Sequence, residues 1–234
     1  MSPAGLDSVF QKMDAMRLRD GGPVYLETDF DRFIVEPWNT ITAILFLAIF
    51  TYWIIKLRGR YKQHLFLTVS LFLLLIGGVG GLLYHAFRRY EVFLFMDWMP
   101  IMILSLMAGV YFFIKAKVRW YWGILIIGVF FGGQTLNAMF VPEEYMISIS
   151  YVMMSLLILI PTIFILVKTT FKNYQYIVFA LISFVLAVLF RSTDLKGWLP
   201  MGTHFLWHIL GALASHFMLY YVFLLNKPAA NSAR

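Results

Sequence analysis

The run LFLTVSLFLLLIGGVGGLLYHAF, Leu65 to Phe87, contains no Asp, Glu, Lys or Arg. A helix needs about 20 mainly apolar residues to cross a bilayer, and this stretch meets that length with a single histidine, His85, near its end. Outward from it, six more runs of the same kind appear: 37–57, 93–114, 120–140, 146–167, 174–190 and 203–225. Composition agrees, with 61% hydrophobic residues, 13% charged residues and a mean hydropathy of +0.78. The expected fold is an all-α, polytopic seven-transmembrane helix bundle over 37–225, preceded by a polar segment, 1–36, and followed by a short tail, 226–234.

Lys and Arg concentrate in cytoplasmic loops. Here Lys56, Arg58, Arg60, Lys62, Lys115, Lys117, Arg119, Lys168, Lys172, Lys227 and Arg234 all fall on one side, unaccompanied by acid. The opposite side, including residues 1–36, is net acidic. An extracytoplasmic or lumenal N-terminus and a cytoplasmic C-terminus follow. The net charge of +7 then reflects topology and contact with anionic lipid, and no nucleic-acid partner is expected. Residues 1–36 lack the apolar core of a cleavable signal peptide; Val9, Phe10, Met13, Met16 and Leu18 suit either a short surface helix or a mobile terminus. With no cysteine in the chain, disulfides and thiol catalysis are excluded.

Within this apolar background the ionisable residues carry the chemistry. His204 and His208, four residues apart, stack on one helical face, and His85 can complete a three-histidine set suited to catalytic zinc. The competing reading is three separate, hydrogen-bonded packing residues. Haem fits less well, because two histidines on one face cannot approach a ring from opposite sides. His64 and His216 read as packing or surface residues. Asp97, flanked by Phe95, Met96, Trp98 and Met99, needs a partner: either the metal site, where it would orient a ligand or handle a proton, or an ion pair with Arg88 or Arg89. The acidic residues before the first span, among them Glu27, Asp29 and Glu36, suit calcium, and equally a solvated acidic lip. Gly77-Gly-Val-Gly-Gly81 suits close helix packing or room for a lipid beside His85. Arg191 and Asp194 are expected to pair with each other or with headgroups. Trp38, Trp98, Trp120, Trp122 and Trp198 suit an interfacial belt.

Four motifs, read in order, resemble the alkaline ceramidases, members of a seven-helix membrane hydrolase group that includes the progestin and adiponectin receptors. They are Glu36-Pro-Trp-Asn-Thr40, Tyr84-His85, Asp97-Trp-Met-Pro100 and Gly202-Thr-His-Phe-Leu-Trp-His208. The resemblance implies zinc on His85, His204 and His208, with Asp97 assisting the water at the metal. It also implies calcium on Glu27, Asp29, Glu36 and the backbone of Tyr25, and hydrolysis of a ceramide-like membrane lipid to a sphingoid base and a fatty acid. Three departures stand out. Gly81 replaces the serine the family places four residues before the histidine, Val24 replaces an acidic ligand, and His85 to Asp97 is one residue longer. A lipid receptor with a zinc site, an ester-lipid hydrolase and a proton-coupled transporter are the alternative readings.

Overall fold

The computed structural model describes residues 20–226, apart from the side chains of Glu143 and Glu144. The segment expected around Val9 to Leu18 and the tail beyond Asn226 lie outside the described residues. All the regular secondary structure of the described residues is helical, without a strand. Its long helices are α1 (Pro37–Lys56), α2 (Leu65–Phe87), α3 (Glu91–Lys115), α4 (Trp120–Phe140), α5 (Glu143–Lys168), α6 (Tyr174–Ser192) and α7 (His204–Leu225). All seven are long and apolar enough to cross a membrane, as the sequence predicts, with ends displaced by at most three residues from the expected spans.

Six helices close a ring in the order α1, α2, α3, α5, α6, α7 and back to α1, while α4 packs outside on α5. Polar side chains fasten α4: Asn137 donates to the Met146 carbonyl at 2.8 Å and to Ser150 Oγ at 2.9 Å, and Ser150 donates to Gln134. At the end of the bundle away from the histidines, Trp53, Leu57, Leu67, Phe112, Tyr221 and Phe223 form a dense apolar core. There the Lys56 ammonium stands over the rings of Tyr52, Trp53, Tyr220 and Phe223 at 4.3–5.3 Å. His64 lies against Phe223 and His216 against Tyr52 and Trp53, in the packing roles expected for them.

The ring encloses a cavity of about 230 Å³. From Trp207 to Val222 its wall follows α7 for about 22 Å, at 1.5 Å per residue. The lining is mostly apolar. Its titratable members, Asp97, Tyr151 and His208, all belong to the end from which α3, α5 and α7 begin.

Glycine lets α2 sit tightly between α1 and α3. A Cβ on Gly78 would come within 2.9–3.1 Å of Leu47 and Phe46 of α1, and one on Gly80 would strike the Met96 backbone of α3. Backbone cannot swing aside as a flexible side chain can, so Gly80→Ala should lower stability by about 1–3 kcal/mol through overpacking. Gly128→Ala in α4, with nothing within 4 Å, should leave stability unchanged or raise it slightly. Thermal unfolding in detergent distinguishes the pair; equal effects would refute the close α2–α3 approach as the cause.

Candidate metal centre

The last turn of α2 and the first two turns of α7 meet at one end of the ring, bringing His85, His204 and His208 together. One potential ligand atom from each lies within 4.8 Å of the others, and the ring centroids are 4.7–5.4 Å apart. The side chains are buried, at 0%, 2% and 3% exposure. Zinc bonds nitrogen at about 2.0–2.1 Å in a tetrahedral arrangement, which sets its nitrogens roughly 3.3–3.4 Å apart, so a bound ion would draw these three rings closer together. Among the described residues this is the one cluster of three or more His, Asp or Glu side chains within such reach.

The surroundings direct ring lone pairs inward. His85 Nδ1 meets Glu36 Oε2 at 2.5 Å, and a carboxylate acceptor places the proton on Nδ1, leaving the Nε2 lone pair free. His208 Nδ1 donates to the Asn39 carbonyl at 2.9 Å, with Thr42 Oγ1 at 3.1 Å. His204 stacks on Tyr25, centroids 3.8 Å apart. Two ring nitrogens, His85 Nε2 and His204 Nδ1, are buried without a hydrogen-bond partner. An unmet buried polar atom costs about 1–3 kcal/mol, and coordination would satisfy such an atom. The donor set therefore fits a first-row transition metal.

No protein-family model matches this chain, and no curated protein does.

The histidine-bearing ends are fixed by acids that cap helices. Glu27 accepts the backbone N–H groups of Trp38 and Asn39 at 3.0 and 2.7 Å, satisfying two of the free donors at the start of α1. Asp194 does the same for α7, accepting from Thr203 and His204 at 2.6 and 2.7 Å while also holding Leu26 N–H at 2.8 Å. Val35 and Glu36 donate their N–H groups to the Ala86 and His85 carbonyls at the end of α2. The segment before α1 thus ties the starts of α1 and α7 to the end of α2.

These contacts show which protein partners several of the expected site residues have. Glu36, expected as a calcium ligand, is buried at 0% exposure, with both oxygens engaged by protein donors: His85 and Asn39 on Oε2, Arg88 and Thr28 on Oε1. The cation facing it is a guanidinium. Glu27 caps α1, Asp29 pairs with Arg32 at 3.1 Å, and Tyr25 contributes its ring to His204, so the expected calcium residues have separate roles in this structure. Asp194 binds backbone amides, so it forms no pair with Arg191; the Arg191 guanidinium lies over the Tyr151 ring at 5.6 Å.

Asp97 lies beside the histidines and lines the cavity with His208. Neither Arg88 nor Arg89 pairs with it, because Arg88 binds Asp20 and Glu36. The charged groups that act on it are Arg191, Glu36 and Arg88. A Cβ at residue 81 would stand 2.6 Å from Asp97 Oδ1, so the carboxylate fills the space a serine would need. The sequence reading missed Arg88 as a partner of Glu36, Asp20 as its second carboxylate and Tyr25 as the ring against His204. The retrievable signal was a basic residue three positions after His85 facing a strongly acidic preceding segment.

Burial opposes ionisation of Glu36, but the hydrogen bonds from His85 and Thr28 and the charge of Arg88 outweigh it, holding the carboxyl at about 2 against an ordinary 4.5. A depressed carboxyl adds stability above the unfolded value and loses it as pH falls through the folded one. In metal-free protein, the stability difference between parent and Glu36→Gln should be constant from pH 7 to about 5, then shrink toward pH 2. Denaturant unfolding in detergent measures it, and a difference unchanged down to pH 3 would contradict the assignment.

Proposed function

We propose that this chain is a multi-pass membrane hydrolase that uses a zinc ion on His85, His204 and His208 to cleave the amide of a ceramide-like lipid. The observation that carries the reading is a three-imidazole cluster with a neighbouring carboxylate at one end of a long, apolar, intramembrane cavity. The four motifs that resemble those of the alkaline ceramidases support it, and so does the donor chemistry of the cluster. Calcium has no part in this reading.

A zinc ion held by His85, His204 and His208 would supply Lewis acidity and make water acidic enough to act as a nucleophile near neutral pH. The chain's own groups do the rest. Asp97 Oδ1 takes a proton from the attacking water and returns it to the departing amine nitrogen. Glu36 and the Asn39 carbonyl hold the His85 and His208 rings in register. The apolar wall along α7 receives a hydrocarbon chain and excludes bulk water from the reacting carbonyl. Beyond Asp97, Tyr151 and His208 the lining holds no titratable group, which favours a lipid pocket over a proton-conducting path.

Purified protein should retain about one zinc per chain and release fatty acid from ceramide in a panel that also contains ester lipids, read by mass spectrometry. His208→Ala should lose metal and turnover together. Asp97→Asn should keep the metal and lose about 10²–10⁴-fold in turnover. Metal content and turnover both unaltered in His208→Ala would remove the reading; ester cleavage without amide cleavage would reassign the substrate.

The charge distribution supports a cytoplasmic location for the Lys56–Lys62 loop and an opposite, lumenal or external, location for the metal end. Because the parent has no cysteine, Lys62→Cys and Leu195→Cys test this without background. An impermeant maleimide should label position 195 in intact cells and position 62 only after permeabilisation; the reverse pattern would invert the topology.

A further inference from the structure

Arg88 is the least expected residue in this region. It closes α2 in the left-handed conformation, φ 47°, where glycine is the less strained choice. Its side chain nevertheless turns inward, and the residue is 1% exposed, whereas Arg89 next to it is exposed. Nε and Nη2 form a fork on Asp20 at 2.7 and 3.2 Å, and Nη1 donates to Glu36 Oε1 at 2.5 Å. The faces of the guanidinium are covered by Tyr84, at 4.6 Å from the ring centroid, and Tyr25, at 5.8 Å. Two carboxylates from separate parts of the chain therefore converge on one enclosed positive charge. That charge touches the oxygen atom of Glu36 opposite the one that holds His85 Nδ1.

We infer that Arg88 is a positioning residue for the metal centre: a fixed cation, supplied by the chain, that locks Glu36 onto His85 and makes the centre independent of any second, dissociable cation. The inference rests on the metal reading of the histidine cluster. A planar fork suits the task because its donors have set directions, so the Asp20 contact determines where Nη1 presents its proton to Glu36. Glu36 in turn determines the tautomer and tilt of His85. Asp20 balances the charge that would otherwise be left over, so the group of three can be buried. Because Asp20 precedes α1 by a long stretch of chain, the same contact anchors residues 20–36 across the end of α2, next to the backbone bonds from Val35 and Glu36.

Cobalt(II) binding to the purified full chain in detergent, followed by its visible d–d absorption and by chelator competition, tests this. The parent should bind one cobalt with an affinity and a thermal midpoint that millimolar calcium chloride leaves unchanged. Arg88→Ala should weaken cobalt binding by about 10–100-fold, the usual effect of removing a group that orients a ligand, and shift the d–d band. Arg88→Lys keeps the charge without the fork and should fall between the two. If Arg88→Ala does not fold, the double variant Arg88→Met with Asp20→Asn removes the ion pair as a unit and should show the same loss. A calcium-dependent gain in the parent, parent-like cobalt binding in the alanine or double variant, or a lysine variant no better than alanine would each overturn the inference. A parent that binds no cobalt would overturn the metal reading itself, and this inference with it.

Discussion

The contact between the Glu36 carboxylate and the His85 imidazole organises one whole end of this molecule. An ionised carboxylate removed from water is sustained only when its charge and lone pairs are met, and Glu36 meets both with His85, Arg88, Thr28 and Asn39. Those partners come from α1, α2 and the segment before α1, so satisfying one acid holds three parts of the chain in register. His85 is consequently fixed at the end of α2 with one ring nitrogen free. The histidines of α7 then have something fixed to face.

Electrostatic demand and helix-end chemistry act together here. The start of α1 and the start of α7 each expose backbone donors, and Glu27 and Asp194 reach across from elsewhere in the chain to accept them. Helix ends capped in this way need not fray to find hydrogen bonds, which keeps His204 and Asn39 in place. The opposite half of the ring is held differently, by aromatic and aliphatic packing around Trp53, Phe112 and Phe223. The cavity joins the two halves, polar and ordered at one end, apolar along the rest of its length.

Much of this was legible from residue order. Largely apolar runs of spanning length set the seven helices to within three residues, because without water the backbone must bond to itself. The four-residue spacing of His204 and His208 placed both on one face of α7, and His85 near a helix end placed it at matching depth. Gly80 was legible as a packing residue. The acids before α1 were harder. Their composition suits calcium or a solvated lip equally well, and only the packed structure shows which protein groups they meet. Of the adjacent pair Arg88 and Arg89, the left-handed turn at the end of α2 buries the first and exposes the second, a choice that no propensity encodes.

What the sequence by itself determined, then, is the number of long apolar helices, their order and the place of each ionisable group along its helix, since these depend on local hydropathy and helical periodicity. Only the tertiary structure decided which groups pair. It closed six helices into a ring with α4 outside, gave Glu36 to His85 and Arg88, gave Asp194 to the start of α7, and put Asp97 in the space left by Gly81. Pairing in a low-dielectric interior depends on where side chains from distant segments come to rest within an ångström or two, and that is a property of the packed bundle.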